Sequence, residues 1–262
     1  MGVLPRPSFV DSTRILRAVR YEQRFDFRID LRTLELIDDA LDMLDRVTPA
    51  RIRHEFERIF QEDRPERILL RLDQLGVLTR IHPSLAAGDW LLAIYPRLRA
   101  ALVDPTIDPI LLAEPVARLY WGALVYPLPT TSDDALRDRL GLRKETQSTV
   151  HDLHWLRDHA DVLSDAVTRP SQIVSVLDKV DAVGLALFAL LCDDDQTRLV
   201  VQRYQTDWQH VHAELNGDDL TMLGIARGPI YRRILARLRA ARLDGLVQSR
   251  AEEEALVRQV TE

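Results

Sequence analysis

The stretch from Asp11 to Arg24 most constrains what this chain can fold into. Apolar residues recur at Ile15, Leu16, Val19 and Tyr21 with a helical period, and Asp11 or Ser12 supplies a short side-chain oxygen that can cap a first helical turn. The spacing predicts a helix over 11–25, one face turned to a core and Arg14, Arg17, Arg20 and Arg24 on the opposite side. Residues three apart on a helix are neighbours, so Asp11, Arg14, Arg17 and Arg20 form one slowly winding column. Two readings of the column stand. In one it is a solvated face with an Asp11–Arg14 ion pair. In the other it reads bases and clamps phosphate: a carboxylate only accepts and a guanidinium only donates, so the pair can address the exocyclic amine and ring acceptor of cytosine or adenine. The remaining arginines would then bind phosphate bidentately.

The rest of the chain repeats the helical signal. Leu34, Ile37, Leu41 and Leu44 make a 3-4-3 stripe over 31–44. Thr48 as N-cap and Pro49 at the first helical position start a helix through Phe60, and Pro65 opens another with Ile68, Leu69, Leu72 and Leu75 inward and Gly76 as its cap. Beyond Pro83, helices are expected at 89–102, 109–124, 132–139, 143–160, 170–179, 181–191 and 195–213. A short helix capped by Asp218 follows, then one from Ile230 to about Leu243. That last helix turns Ile230, Ile234, Leu235, Leu238 and Ala241 inward and Arg232, Arg233, Arg237, Arg239 and Arg242 largely outward. Few aromatic residues and much Ala, Leu, Arg and Asp favour helix over strand. The expected fold is all-α, an elongated multi-helical array in three parts: residues 1–84 as a neck, 85–213 as a helical body and 214–262 as a helical tail.

Charge narrows the function classes. The chain carries a formal net charge of -6, which argues against nonspecific nucleic-acid binding, yet its two ends are basic. Residues 1–24 hold five arginines against Asp11 and Glu22, and residues 227–250 hold seven against Asp244. Such ends attract phosphate locally. The five arginines of the 230–243 helix fit either a solvated face or an RNA-backbone track, and Arg51 and Glu55, four apart, fit a surface ion pair or a support for the first helix. No apolar run approaches the length of a membrane span and no signal-peptide layout opens the chain, so a cytoplasmic protein is expected. A single cysteine, Cys192, excludes an internal disulfide and a multi-cysteine zinc site, and reads as a small core residue. His151 and His154, with Asp152 and Asp158, raise the alternative of a metal phosphohydrolase, but no polar or Gly-rich surroundings shape an open site. The acidic runs Asp133-Asp134 and Asp193-Asp194-Asp195 read as helix-end or loop charges.

Three spaced signatures carry a resemblance. The first is Asp11, Arg14, Arg17, Arg20 and Tyr21 with Asp26-Phe27. The second is Thr48 to Phe56, with Arg51, Ile52 and Glu55, and the third is Leu72 to Leu78 with Ile81 and Pro83. Near the far end come Asn216-Gly217, Asp219-Leu220, Gly224, Gly228-Pro229, Leu235 and Leu238. In this order they resemble the region C-terminal to the catalytic palm, the neck, body and tail, of class II tRNA nucleotidyltransferases (CCA-adding enzymes) and bacterial poly(A) polymerases. One departure is Val10, where the family often has an acid.

The resemblance implies a chain that binds RNA, tRNA in particular, together with ATP or CTP as substrates. Asp11 and Arg14 would address the incoming base, Arg17 and Arg20 would support it or its phosphates, Arg51 and Glu55 would brace the neck, and Arg232, Arg233, Arg237, Arg239 and Arg242 would hold RNA. In that family, transfer is done by two metal ions on an Asp-x-Asp pair in the palm. Nothing before Asp11 matches it, so Mg²⁺ is expected only with a palm supplied upstream or by another chain, and this chain alone is expected to be inactive. The alternative is a stand-alone palm-less RNA-binding helical protein.

Overall fold

The computed structural model describes residues 13–104, 107–130 and 133–261, and among them there are helices and turns but no strand. In chain order the helices are α1 (Thr13–Arg24), α2 (Leu31–Ala40), α3 (Pro49–Ile59), α4 (Pro65–Gln74), α5 (Val77–Ile81), α6 (Trp90–Ala101), α7 (Pro109–Leu112), α8 (Val116–Val125), α9 (Asp133–Leu140), α10 (Lys144–Asp158), α11 (Ala160–Ser164), α12 (Pro170–Leu177), α13 (Ala182–Leu191), α14 (Asp195–Thr206), α15 (Gly217–Met222), α16 (Ile230–Leu243) and α17 (Arg250–Thr261). Short 3₁₀ turns occupy Leu41–Arg46 and Trp208–His210. The helices gather into two compact units, one formed by residues 1–154 with α13, the other by 155–181 and 192–262. The division follows packing rather than chain order, because α13 is apolar throughout and lies against α6, α7 and α8.

The expected fold class holds, with local differences that have plain causes. The stripe over 31–44 is real, Ile37 and Leu44 being buried, but its second half tightens into the 3₁₀ turn. Thr48 stands at the N-cap of α3 without a side-chain capping bond, and Pro49 takes the first helical position as expected. The helix expected over 109–124 is two, α7 and α8, since Pro115 lacks the N–H that would continue it. The 143–160 and 195–213 segments break near their ends into α11 and the second 3₁₀ turn. Asn216, not Asp218, caps α15, accepting from the amides of Asp218 (2.8 Å) and Asp219 (3.2 Å). Ile230 is exposed rather than inward, and Cys192 is half-buried rather than core.

The first unit is built around stacked rings. Phe56 of α3 lies 4.9 Å from Trp121 of α8, and Phe60 meets Tyr120 at 5.6 Å. Each such fully buried apolar side chain contributes about 1.5–3 kcal/mol of transfer free energy. Gly122 lets α8 approach its neighbours closely: a Cβ there would lie 2.8 Å from Leu187 of α13 and 3.0 Å from Leu153 of α10. Arginine closes the gaps between helices. Arg139 of α9 donates to the carbonyls of Leu44 (2.6 Å), Val47 (2.7 Å) and Ile81 (3.1 Å), so one guanidinium ties three points near helix ends to α9.

The second unit ends in α17, which lies past the last individually expected helix and within the stretch expected to be helical. Its start is a capping box: the Ser249 amide donates to Glu252 and the Glu252 amide to Ser249 Oγ. Beside it, Glu253 is fully buried, accepts from the amides of Leu215 (2.8 Å) and Glu214 (3.1 Å), and pairs with Arg242 of α16. Burial pushes this carboxyl up, but Arg242 and the two amides outweigh burial and hold it below the ordinary carboxylate range. A depressed folded-state pKa stabilises the fold above the unfolded value, about 4.3 for glutamate, and that contribution is lost as pH falls through the folded value. We therefore expect the urea midpoint to fall as pH is lowered below about 4. Glu253→Gln should cost about 1–3 kcal/mol at neutral pH and flatten that acid dependence; urea titrations at several pH values check both.

Candidate nucleic-acid interface

Helix α1 buries Ile15, Leu16 and Val19 as expected, each at most 1% exposed, whereas Tyr21, expected on the same face, is 39% exposed. Asp11 lies outside the described residues. Arg14 is exposed and Arg17 half-buried, but Arg20 does not share their face. A step of three residues falls about 60° short of a full turn, so Arg20 stands about 120° round the helix from Arg14. It points inward, 5% exposed, with Nη1 3.6 Å from Glu55 of α3 and Nε 3.5 Å from Glu62. Glu55 is accordingly buried and faces α1, whereas Arg51, one turn earlier, is exposed. Glu55 pairs with Arg20 of α1, an inter-helix contact that spacing within α3 could not reveal.

With the two helices locked together, a hollow of about 520 Å³ opens between them. Thr13 and Arg17 of α1 line one side, and Arg51, His54 and Arg58 of α3 line the other as a column at helical spacing. Arg143 closes the hollow from the turn before α10. That turn is held in place at Gly141. Arg53 donates to the Gly141 carbonyl, and Gly141 adopts φ 58°, with its α-carbon so close to Pro49 that a Cβ would lie 2.9 Å away. The lining holds five arginines against two carboxylates, Glu55 and Glu57, and both already have arginine partners, Arg20 and Arg53 respectively. Such a cationic concavity suits a phosphate-bearing ligand. His54, Arg58 and Arg143 were not singled out from the sequence; the 51/54/58 column was legible, and Arg143 was not, since it arrives from 85 residues downstream.

The five arginines of α16 divide. Arg232, Arg233 and Arg237 are exposed and remain available to a partner. Arg239 donates to the Val211 carbonyl (2.8 Å) and pairs with Asp178, and Arg242 pairs with Glu214 (2.7 Å) and Glu253. These two hold the second unit together, which corrects the outward placement expected for them. His154 is 1% exposed, with Nε2 2.9 Å from the Val125 carbonyl, a core position unsuited to an open metal site. Among the described residues, no group of three His, Cys, Asp or Glu side chains is placed to hold a metal ion. Nor is any described helix long and apolar enough to cross a membrane.

The family described as "Probable RNA and SrmB- binding site of polymerase A" matches residues 26–88. The chain is 32% identical over 265 residues to an A-adding tRNA nucleotidyltransferase of Geobacter sulfurreducens, covering 96% of this chain and 30% of that protein. A Thermotoga maritima CCA-adding enzyme complexed with tRNA_CCA superposes with a TM-score of 0.66 at 24% identity, over 96% of this chain and 62% of that one. A CCA-adding enzyme in complex with CTP superposes with a TM-score of 0.68 at 25% identity, over 96% and 60%. The chain therefore spans under a third of the curated relative's length and about three fifths of these solved chains.

The buried pair sets a direct expectation. Arg20→Met leaves the buried Glu55 without its cation and Glu62 with Arg24 alone, and should cost about 3 kcal/mol. Arg14→Met, on the exposed side of the same helix, should stay within about 0.5 kcal/mol of wild type. Urea denaturation of the two variants side by side checks the contrast.

Proposed function

Because the chain belongs to the class II tRNA nucleotidyltransferase and poly(A) polymerase family, over the region C-terminal to the palm, we propose that it is the part that holds tRNA and the incoming nucleotide during addition of C or A to an RNA 3' end. The observation that carries this reading is the arginine-lined hollow between α1 and α3. Arg17, Arg51, Arg58 and Arg143 take phosphate there, each as a planar bidentate donor. Asp11 and Arg14 address the base: the carboxylate accepts from the exocyclic amine of cytosine or adenine while the guanidinium donates to the ring acceptor. Arg20 supports them without touching ligand, by fixing α1 against α3 through Glu55.

Arg232, Arg233 and Arg237 on α16 make a second contact with the RNA backbone in this reading, sequence-independent because phosphate carries no base information. Arg239 and Arg242 position α16 for it. The two-metal chemistry of transfer belongs to the family's palm, and these residues contribute binding and orientation. The setting is the cytoplasm, where tRNA is matured.

The test is tRNA binding by fluorescence anisotropy across a salt series. Wild-type chain should bind at low salt and weaken steeply as salt rises. Arg17→Ala, Arg58→Ala and Arg143→Ala should each weaken binding and reduce the log–log salt slope by about one. Absence of binding at low salt, or substitutions that leave the slope unchanged, would overturn the reading.

A further inference from the structure

At the far end of α1, three aromatic rings stand in solvent. Tyr21 is 39% exposed, Phe25 53% and Phe27 68%. An exposed ring is ordinary singly, but these form a ladder, with centroids 6.0 Å apart from Tyr21 to Phe25 and 5.5 Å from Phe25 to Phe27. Guanidinium groups cap it: Arg20 lies 5.1 Å over Tyr21 and Arg24 5.6 Å over Phe25. The outermost ring, Phe27, is the most open, and Arg28 beside it is exposed.

The turn that presents the rings is held rigidly. Glu22 is 7% exposed, accepts from the Ile29 amide at 3.1 Å and from Arg71 of α4 at 3.0 Å, while the Phe27 amide donates to the Glu22 carbonyl at 2.9 Å. Between Phe25 and Phe27, Asp26 takes a left-handed φ of 52°, a conformation a side chain rarely adopts. These contacts keep in solvent two phenylalanines that burial would favour.

We propose that Tyr21, Phe25 and Phe27 form a stacking platform for the bases of a single-stranded RNA segment. Every base has a π-face, so a ring ladder capped by arginine accepts bases with little regard to sequence. The adjoining hollow is lined by Arg24, Arg64 and Arg67 against Asp26, Glu62 and Asp63, a balance without cation surplus. Arg24 meets Glu62 at 3.6 Å and Arg67 meets Asp26 at 3.9 Å. Affinity here comes from the rings, in contrast to the phosphate-binding hollow between α1 and α3. Arginines stand over or beside these rings, Arg24 over Phe25 and Arg28 next to Phe27, a pairing that base stacking uses, and a self-association readout separates it from a protein contact. The inference rests on the RNA-binding reading and adds to it a base-dependent, weakly salt-dependent component.

The test uses the full chain and three probes: an oligo(A) octamer, an abasic ribose-phosphate octamer and a blunt RNA duplex. Wild type should bind oligo(A) at least tenfold more tightly than the abasic strand, with that ratio surviving added salt. Phe25→Ala/Phe27→Ala should abolish the ratio, a loss of roughly tenfold or more, given about 1–3 kcal/mol per stacked base, and leave duplex binding unchanged. Phe27→Trp should retain the ratio. Equal affinity of wild type for oligo(A) and abasic strand, or an unchanged ratio in the double variant, would overturn the platform while leaving phosphate binding intact. A double variant that changes self-association but not the ratio would assign the rings to a protein contact and overturn it too. Binding to none of the three probes would overturn both readings.

Discussion

The ion pairs between Arg20, Glu55 and Glu62 are what the candidate site depends on. A buried charge is costly unless its partner is buried with it, so the approach of Arg20 to Glu55 (3.6 Å) and Glu62 (3.5 Å) favours the placement of α1 against α3 that brings these groups together. That placement leaves Arg17 on one wall and Arg51, His54 and Arg58 on the other, with a concavity between. Ion pairs of this kind are not a strong source of net stability. Their effect is to make the wrong packing expensive, which is what a binding surface assembled from separate helices requires.

Arginine joins other elements too. Arg139 ties α9 to the carbonyls of Leu44, Val47 and Ile81, Arg53 ties α3 to the Gly141 turn, and in the second unit Arg242 joins α16 to the buried Glu253 of α17. Arginine suits this work because its planar fork donates to several acceptors at once and stays charged. A chain with many arginines and a net negative charge is therefore not simply a failed nucleic-acid binder. A share of its arginines is internal mortar, and the remainder is concentrated on particular surfaces.

This explains what was legible in the sequence. Apolar period and Pro or Gly punctuation place most helices, because those signals are local. The inward turn of Arg20 was open to geometry, since 3.6 residues per turn carries a three-residue column half-way round the helix between Asp11 and Arg20. Residue type pointed the other way and concealed it. Helix α17 announced itself through Ser249 and Glu252, a capping box three residues apart, ahead of Leu256 and Val257. The roles of Arg239 and Arg143 were beyond local reasoning, because Asp178 and α3 come from far along the chain, while Arg242 meets Glu253 on the very next helix. The aromatic ladder lay in plain view, but exposure of Phe25 and Phe27 is a property of the fold, not of their spacing.

The most direct measurement of the central claim is photo-crosslinking with 8-azido-ATP, followed by peptide mapping of the labelled chain. The account predicts that label concentrates on peptides from α1 and α3, is suppressed by excess unmodified ATP, and is lost in Arg17→Glu. Competable label confined to peptides of the second unit, or label indifferent to Arg17→Glu, would contradict the claim that the hollow between α1 and α3 receives the nucleotide.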